Sequence, residues 1–157
     1  MAGKSKLDNE RYKQFGLKKE NQDAYIASTA TMGLPHCHFF GVLDGHGLNG
    51  RPVIKLLEKR LPINMTDKLR DKILFAEEGY DLDKQYPEPS YVREGIKNAF
   101  AEMSEELSMM IEDTRCSGST FSGVLIFGNM LFPINLGDSR SLLIMKRGLD
   151  RQIKFAT

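Results

Sequence analysis

The residues best suited to chemistry are concentrated in one short glycine-rich segment, Asp44-Gly45-His46-Gly47. The apolar run His38–Leu43 precedes it and predicts a buried strand that ends where the segment begins. A carboxylate, an exposed backbone carbonyl and an imidazole then lie within a few ångströms of one another. Because hard cations such as Mg²⁺ and Mn²⁺ prefer oxygen ligands, the segment is a candidate cation site.

Two further aspartates can add carboxylates to this segment. Asp23 ends the run Asn21-Gln22-Asp23, and Asp138 lies in Gly137-Asp138-Ser139-Arg140. They join Asp44 only if the fold brings three strand ends together, which spacing alone does not show. The simpler interpretation of each aspartate, taken singly, is a turn residue whose side chain caps its own backbone. Both interpretations stay open.

The elements that must position these residues begin with helices. Apolar residues at helical spacing predict a helix over residues 52–61, which we expect Pro62 to end. A second helix is predicted over residues 66–78. The clearest helix follows, with Ser90 as its expected N-cap and apolar residues every three or four positions as far as Ile111.

The last third of the sequence changes to strand patterns. Apolar and β-branched runs separated by glycine-containing turns predict an antiparallel meander with the strands Val124–Phe127, Met130–Leu136, Ser141–Lys146 and Gln152–Ala156. Pro133 lies inside one of these runs. Because proline donates no backbone hydrogen bond, we expect it at a sheet edge, a strand end or a bulge.

Composition excludes several classes of function. The 157 residues carry 22 basic and 21 acidic side chains, and this net charge of +1 supplies no basic field for nucleic acid. No apolar run approaches the roughly 18 residues of a membrane span, so no membrane association is expected. Cys37 and Cys116 lie far apart after a start with no signal-like pattern, which favours reduced thiols and a cytoplasmic location. We expect Cys116 to be a small buried residue rather than a nucleophile.

Four motifs in a fixed order resemble the type 2C metal-dependent Ser/Thr protein phosphatases, the PPM family. They are Lys18–Asp23, Phe39–Gly47, Gly118-Ser119-Thr120 and Asn135–Arg140. Each motif is weak alone, but the ordered set is specific, and the resemblance extends over residues 17–157. It implies an α+β fold, part of a four-layer α-β-β-α sandwich with antiparallel sheets, and a two-metal centre at one end of the sandwich.

The resemblance also implies which residues bind metal. In the family, the aspartate of the first motif and the aspartate and glycine carbonyl of the second motif hold two divalent cations. Here they correspond to Asp23, Asp44 and Gly45, with Mg²⁺ or Mn²⁺ as the cofactor. Asp138 corresponds to an additional, weaker metal position.

The catalytic roles carry over in the same way. Two divalent ions that share a water lower its pKa and direct the resulting hydroxide at a phosphoryl group. His46 corresponds to the general acid that protonates the departing Ser or Thr alkoxide. The family places an arginine five residues before the first aspartate to hold the substrate phosphate. Lys18 occupies that position here and offers charge without the bidentate fork of an arginine, so Lys19, or neither lysine, is the open alternative.

Two metal-binding motifs that the family has further along its chain, Asp-Gly and Asp-Asn, do not follow in this sequence. We therefore expect residues 17–157 to form an incomplete phosphatase-like domain. Residues 1–16 carry many charges and few apolar positions, and we expect them to form a solvated tail or a peripheral strand. The complete domain is expected to hydrolyse phosphoserine and phosphothreonine esters of phosphoproteins, whereas this chain alone is expected to bind metal weakly and to show little or no activity. The alternative is a non-catalytic interaction or scaffold module whose open sheet edges are covered by a protein partner.

Overall fold

The computed structural model describes residues 21–74, 86–112 and 114–157. In chain order, its elements are β1 (Asp23–Ser28), a 3₁₀ turn (Thr31–Gly33), β2 (Cys37–His46), α1 (Gly50–Leu74), α2 (Pro89–Met110), β3 (Gly118–Phe127), β4 (Met130–Leu136), β5 (Leu142–Arg147) and β6 (Asp150–Ala156). Strands β1-β2-β3-β4 form an antiparallel sheet in that order, and β5 and β6 form a separate antiparallel hairpin. The expected α+β class with antiparallel sheets is confirmed.

The four-stranded sheet buries one face and exposes the other. On β2, alternate side chains such as Cys37, Phe39 and Leu43 are buried against the helices. Val42, which points the other way, is 57% exposed, and Tyr25 beside it on β1 is 69% exposed. Because successive residues of a strand project to opposite faces, residues 23, 25, 42 and 44 share the open face.

The two helices form one layer over the buried face. Their apolar side chains enter a single core, and Phe100 of α2 contacts Phe121 of β3 with ring centroids 5.0 Å apart. Ion pairs also join the helices in antiparallel order: Arg60–Glu106, Lys68–Glu102 and Lys72–Glu94. The first pair is bidentate, with nitrogen–oxygen distances of 2.9 and 3.1 Å. One face of the sheet is therefore covered by two helices that ion pairs hold together.

The prediction that Pro62 ends a helix was wrong. Helix α1 continues through Pro62 to Leu74, so that the helices predicted at 52–61 and 66–78 are one element. Positions 75–78 of that prediction lie outside the described residues. The physical reason is that burial continues across the proline at helical spacing, from Leu61 before it to Met65, Leu69 and Ile73 after it. Tertiary packing of this apolar face outweighs the hydrogen bond that the proline removes.

The helix predicted after Pro89 is confirmed as α2, but its expected cap is not. Glu88 occupies the N-cap position without a side-chain capping bond, and Pro89 is the first helical residue. Proline suits that position because the first amides of a helix have no partner within it. Ser90 lies inside the first turn, where its hydroxyl donates to Glu88 Oε1 at 3.3 Å.

Among the predicted strands, Met130–Leu136 is reproduced as β4, and Pro133 lies on this edge strand as expected. The single meander was wrong, because β5 and β6 leave the sheet after the turn that follows β4. The tail predicted for residues 1–16 lies outside the described residues.

The two cysteines differ in their surroundings. Cys37 is fully buried on β2, and this burial raises the pKa of its thiol to about 12. Cys116 is exposed, so the expectation that it is buried was wrong. It precedes β3 in a turn, where no apolar layer covers it. In the described part of the chain, neither helix carries the length of apolar sequence that a bilayer crossing requires.

Candidate functional site

Polar residues from three neighbouring strands meet at one end of the four-stranded sheet. Asp23, the first residue of β1, lies directly opposite Asp44 of β2, and Asp44 lies opposite Thr120 of β3. Directly opposed residues of antiparallel strands project to the same face with Cβ atoms about 5 Å apart. Both aspartates are exposed on the open face. The structure therefore brings together two of the predicted carboxylates.

The segment after Asp44 is part of β2. The prediction that this strand ends at Leu43 was wrong, because Gly45 and His46 continue the ladder opposite Ser119 and Gly118. Backbone pairing with β3 outweighs the turn preference of the glycines. The amide of Gly45 also donates to the Gln22 carbonyl at 2.8 Å, which ties the strand to the residue before β1.

A glycine at position 118 leaves room for the imidazole of His46. A Cβ atom at this position would lie 3.2 Å from both Cε1 and Nε2 of His46. That distance is tighter than ordinary van der Waals contact, so a larger residue would displace the ring. The glycine of the Gly118-Ser119-Thr120 motif therefore has a steric role that follows from its register opposite His46.

The turn that carries Asp138 is fastened to the same end of the sheet. The Ser139 and Thr120 hydroxyls share a hydrogen bond of 2.7 Å. Gly137 has a φ of +89° and packs against Thr120, where a Cβ would lie 2.9 Å from Thr120 Cγ2. Asp138 itself is exposed. Across residues 21–74, 86–112 and 114–157, however, no three His, Cys, Asp or Glu side chains are grouped closely enough to hold one ion.

The chemistry of Asp23 and Asp44 suits a hard divalent cation. Like charges directly opposite one another on paired strands repel. Within the described residues, neither carboxylate forms an ion pair with a lysine, arginine or histidine. A bound cation would compensate both charges, and carboxylate and carbonyl oxygens are the ligands that Mg²⁺ and Mn²⁺ prefer. The donor set therefore fits the implied metal in type, although two carboxylates form only part of a two-metal centre.

One predicted site residue cannot be placed, and two residues that contact the site were not predicted from the sequence. Lys18, the predicted phosphate ligand, lies outside the described residues. Gln22 and Ser117 received no role from the sequence. Yet Gln22 Nε2 donates to the Gly47 carbonyl at 3.1 Å, and Ser117 Oγ accepts from Asn49 N, two residues further along, at 3.0 Å. Gln22 lies inside the first motif and Ser117 directly before the third, but these bonds depend on strand register, which the sequence does not display.

Comparison with known proteins gives a family match. The chain matches the family model described as Protein phosphatase 2C over residues 11–154. Probable protein phosphatase 2C 35 from Arabidopsis thaliana is 34% identical over 142 residues, which cover 90% of this chain and 36% of that protein. Protein phosphatase 1A from Homo sapiens is 33% identical over 139 residues, which cover 84% of this chain and 33% of that protein. This chain thus spans about a third of the length of these curated relatives.

A solved structure is also similar. The crystal structure of the PPM Ser-Thr phosphatase MsPP from Mycobacterium smegmatis in complex with cacodylate superposes with a TM-score of 0.44 at 18% sequence identity. The superposition covers 88% of this chain and 47% of that chain.

Proposed function

This chain belongs to the protein phosphatase 2C family, and from that premise we propose that its polar sheet end is part of a metal-dependent centre for hydrolysis of phosphoserine and phosphothreonine esters in phosphoproteins. The observation that carries the proposal is the cross-strand pair Asp23 and Asp44, followed on the same strand by Gly45 and His46. Residues 17–157 would contribute this part of the phosphatase domain, with residues 1–16 as a tail or a peripheral strand.

Asp23, Asp44 and the Gly45 carbonyl are the residues that would hold Mg²⁺ or Mn²⁺. Asp138, on its tethered turn, would serve an additional and weaker position. Bound cations of this kind supply a hydroxide nucleophile at neutral pH and neutralise developing charge on a phosphoryl group. The residues of this chain contribute oxygen donors held at fixed spacing by the β1–β2 ladder.

His46 is the residue proposed to protonate the leaving group. A serine or threonine alkoxide leaves poorly unless it receives a proton in the transition state. His46 is exposed at the end of β2 that carries Asp44. The two other histidines, His36 and His38, lie at or before the opposite end of this strand. Lys18 would add positive charge for the substrate phosphate.

We expect weak metal binding and little or no turnover from these 157 residues alone. Only two of the carboxylates proposed as ligands are directly opposed, and the part of the chain that the structure describes holds no group of three potential ligands. Fewer carboxylates mean less negative charge to retain two dications. Full activity therefore requires further ligands from a complete phosphatase domain.

The test of the site is a Mn²⁺ titration followed by electron paramagnetic resonance. The wild-type chain should show weak, saturable binding, and Asp44→Ala should weaken that binding by about tenfold or more. Asp150→Ala is the matched control, since Asp150 is an exposed aspartate on the β6 hairpin. Equal Mn²⁺ affinity in the Asp44→Ala variant and the wild type would refute the site.

A turnover assay tests the expectation of low activity separately. The purified chain is incubated with Mn²⁺ and a phosphothreonine peptide, and released phosphate should stay near background. Mn²⁺-dependent turnover that Asp44→Ala abolishes would contradict this expectation, because it would show that these residues suffice for catalysis.

The second candidate function is a non-catalytic interaction module in a larger assembly. The open sheet face favours it, since Tyr25 and Val42 are 69% and 57% exposed. A protein partner would then cover this face, and neither nucleic acid nor membrane is involved. A stable monomer with a cooperative melt would count against this function. For either function we propose a cytoplasmic location with reduced cysteines.

A further inference from the structure

Backbone pairing between β2 and β3 ends at His46, and the Gly45–Asn49 segment that carries this residue is rich in glycine. It contains Gly45 and Gly47, Gly50 follows it, and Gly47 has a φ of +82°. Glycine has more backbone freedom than any other residue. The His46 side chain is exposed and so is not held by core packing. Its location therefore depends on whatever holds the backbone on either side of it.

Gln22 holds this segment from the β1 side. Its backbone carbonyl accepts a hydrogen bond from Gly45 N at 2.8 Å, and its side-chain Nε2 donates to the Gly47 carbonyl at 3.1 Å. The side-chain Oε1 of Gln22 also packs directly against Gly50, where a Cβ would have to displace it. One residue thus contacts the segment before His46, after it and at the start of α1.

Ser117 holds the segment from the β3 side. Its side-chain Oγ accepts a hydrogen bond from Asn49 N at 3.0 Å, and the residue is only 8% exposed. Ser117 directly precedes Gly118, the residue opposite His46. The carbonyl of Cys116 and the side chain of Ser117 fill the space beside Gly47, so that a Cβ at position 47 would overlap them.

We propose that Gln22 and Ser117 are positioning residues that hold the Gly45–Asn49 segment from two sides and thereby fix His46 and the Gly45 carbonyl. This inference rests on the proposed function, because it assigns these two groups a place in phosphoester hydrolysis. A displacement of about 1 Å in a catalytic group can cost about 100-fold in rate. The pairing of β2 with β3 ends at His46, and these two polar side chains, each directly before a strand, hold the glycine-rich backbone beyond that point.

The test uses nuclear magnetic resonance on the full chain at one fixed pH. Amide hydrogen exchange is measured for residues 45–49, together with the ¹⁵N signals of the His46 imidazole. In Ser117→Ala and Gln22→Met, exchange across the segment should accelerate about fivefold, the effect of losing one ordinary hydrogen bond, and the His46 signals should shift. Amides in the middle of α2 should keep their wild-type rates.

Matched variants separate positioning from general stability. Ser117→Thr retains the hydroxyl and should restore wild-type exchange and His46 signals. Ser108→Ala and Gln152→Leu remove the same side-chain types at exposed positions outside the site and should change neither readout. If Ser117→Ala does not fold, as judged by its circular dichroism melt, Ser117→Cys takes its place, because a thiol of similar size is only a weak hydrogen-bond acceptor. Folded Ser117→Ala and Gln22→Met chains with wild-type exchange and His46 signals would overturn the proposal.

Failure of this inference and failure of the proposed function give different results. The exchange and imidazole signals need neither metal nor turnover, so they report on positioning alone. The Mn²⁺ titration of the wild-type chain reports on the proposed function. Suppose that exchange accelerates in Ser117→Ala and Gln22→Met, but that Asp44→Ala leaves the Mn²⁺ affinity unchanged. This result would support the positioning of His46 and refute the metal site.

Discussion

At the scale of the residue, the backbone conformation and the close packing at position 47 together require glycine. Its φ of +82° lies in the left-handed region, and the carbonyl of Cys116 and the side chain of Ser117 occupy the space of a Cβ. The backbone preference and the steric overlap act together, so position 47 should tolerate substitution poorly.

The first prediction is that Gly47→Ala destabilises the chain more than Gly148→Ala does. Gly148 also has a positive φ, of +60°, but nothing lies within 4 Å of a Cβ built there. Gly148→Ala should therefore cost only the backbone term of about 1–2 kcal/mol. Gly47→Ala should exceed this loss because of the overlap with residues 116 and 117. Urea denaturation measures both variants, and equal losses would contradict the close packing around Gly47.

The second prediction concerns the pH dependence of stability through Cys37. Burial raises the pKa of its thiol from an ordinary 9.0 to about 12. Between these values the unfolded chain releases the thiol proton and the folded chain retains it. The contribution of Cys37 is therefore fully present below pH 9 and is lost as pH rises towards 12, by at most about 1.4 kcal/mol per pH unit.

Urea denaturation at several pH values from 8 to about 10.5 checks this sign. The wild-type chain should lose stability more steeply above pH 9 than Cys37→Ala, which has no thiol to titrate. Cys116→Ala is the control, because the exposed Cys116 should leave the slope unchanged. Identical slopes for the wild type and Cys37→Ala would contradict the prediction.

At the scale of the element, α1 shows a local preference overruled by packing. Pro62 lies inside the helix, where its ring removes one backbone hydrogen bond and crowds the preceding turn. The buried residues on both sides of the proline keep the helix continuous. Stability is therefore lost at this position and recovered in the core.

The third prediction is that Pro62→Ala stabilises the chain by about 1–3 kcal/mol, because alanine restores the hydrogen bond and has the highest helix propensity. Lys59→Ala, one turn earlier at an exposed position, is the control and should change stability little. Thermal melts of both variants measure the effect. A loss of stability in Pro62→Ala would show that the proline ring contributes packing that outweighs its backbone cost.

The same elements show what the sequence was able to predict. Local patterns sufficed for β4 and α2, since the alternation and the helical spacing there agree with the final packing. They failed at Pro62, where long-range burial decided the outcome. Residue types and spacing made the site residues candidates and a family resemblance assigned their roles, but the pairs Asp23–Asp44 and His46–Gly118 depend on strand register. Register is set by whole-sheet pairing, so these contacts were not visible in the sequence.

At the scale of the whole molecule, the chain has one well-packed face and one open face. The β5–β6 hairpin is joined to the sheet by a hydrogen bond of 2.7 Å between the Ser122 and Ser141 hydroxyls. Between the hairpin and the sheet lies an apolar groove of about 880 Å³. The candidate metal ligands Asp23 and Asp44 share the face that borders this groove.

The most direct test of the central claim, that Asp23 and Asp44 belong to one cation site, is Mn²⁺-induced broadening of backbone amide signals. Substoichiometric Mn²⁺ should first broaden the signals of Asp23, Asp44 and Thr120 in the wild-type chain, while the signals of β6 remain sharp. Asp44→Asn should remove this local effect, and Asp150→Asn should preserve it. Broadening that is uniform, or that persists at β1 and β2 in Asp44→Asn, would contradict the claim.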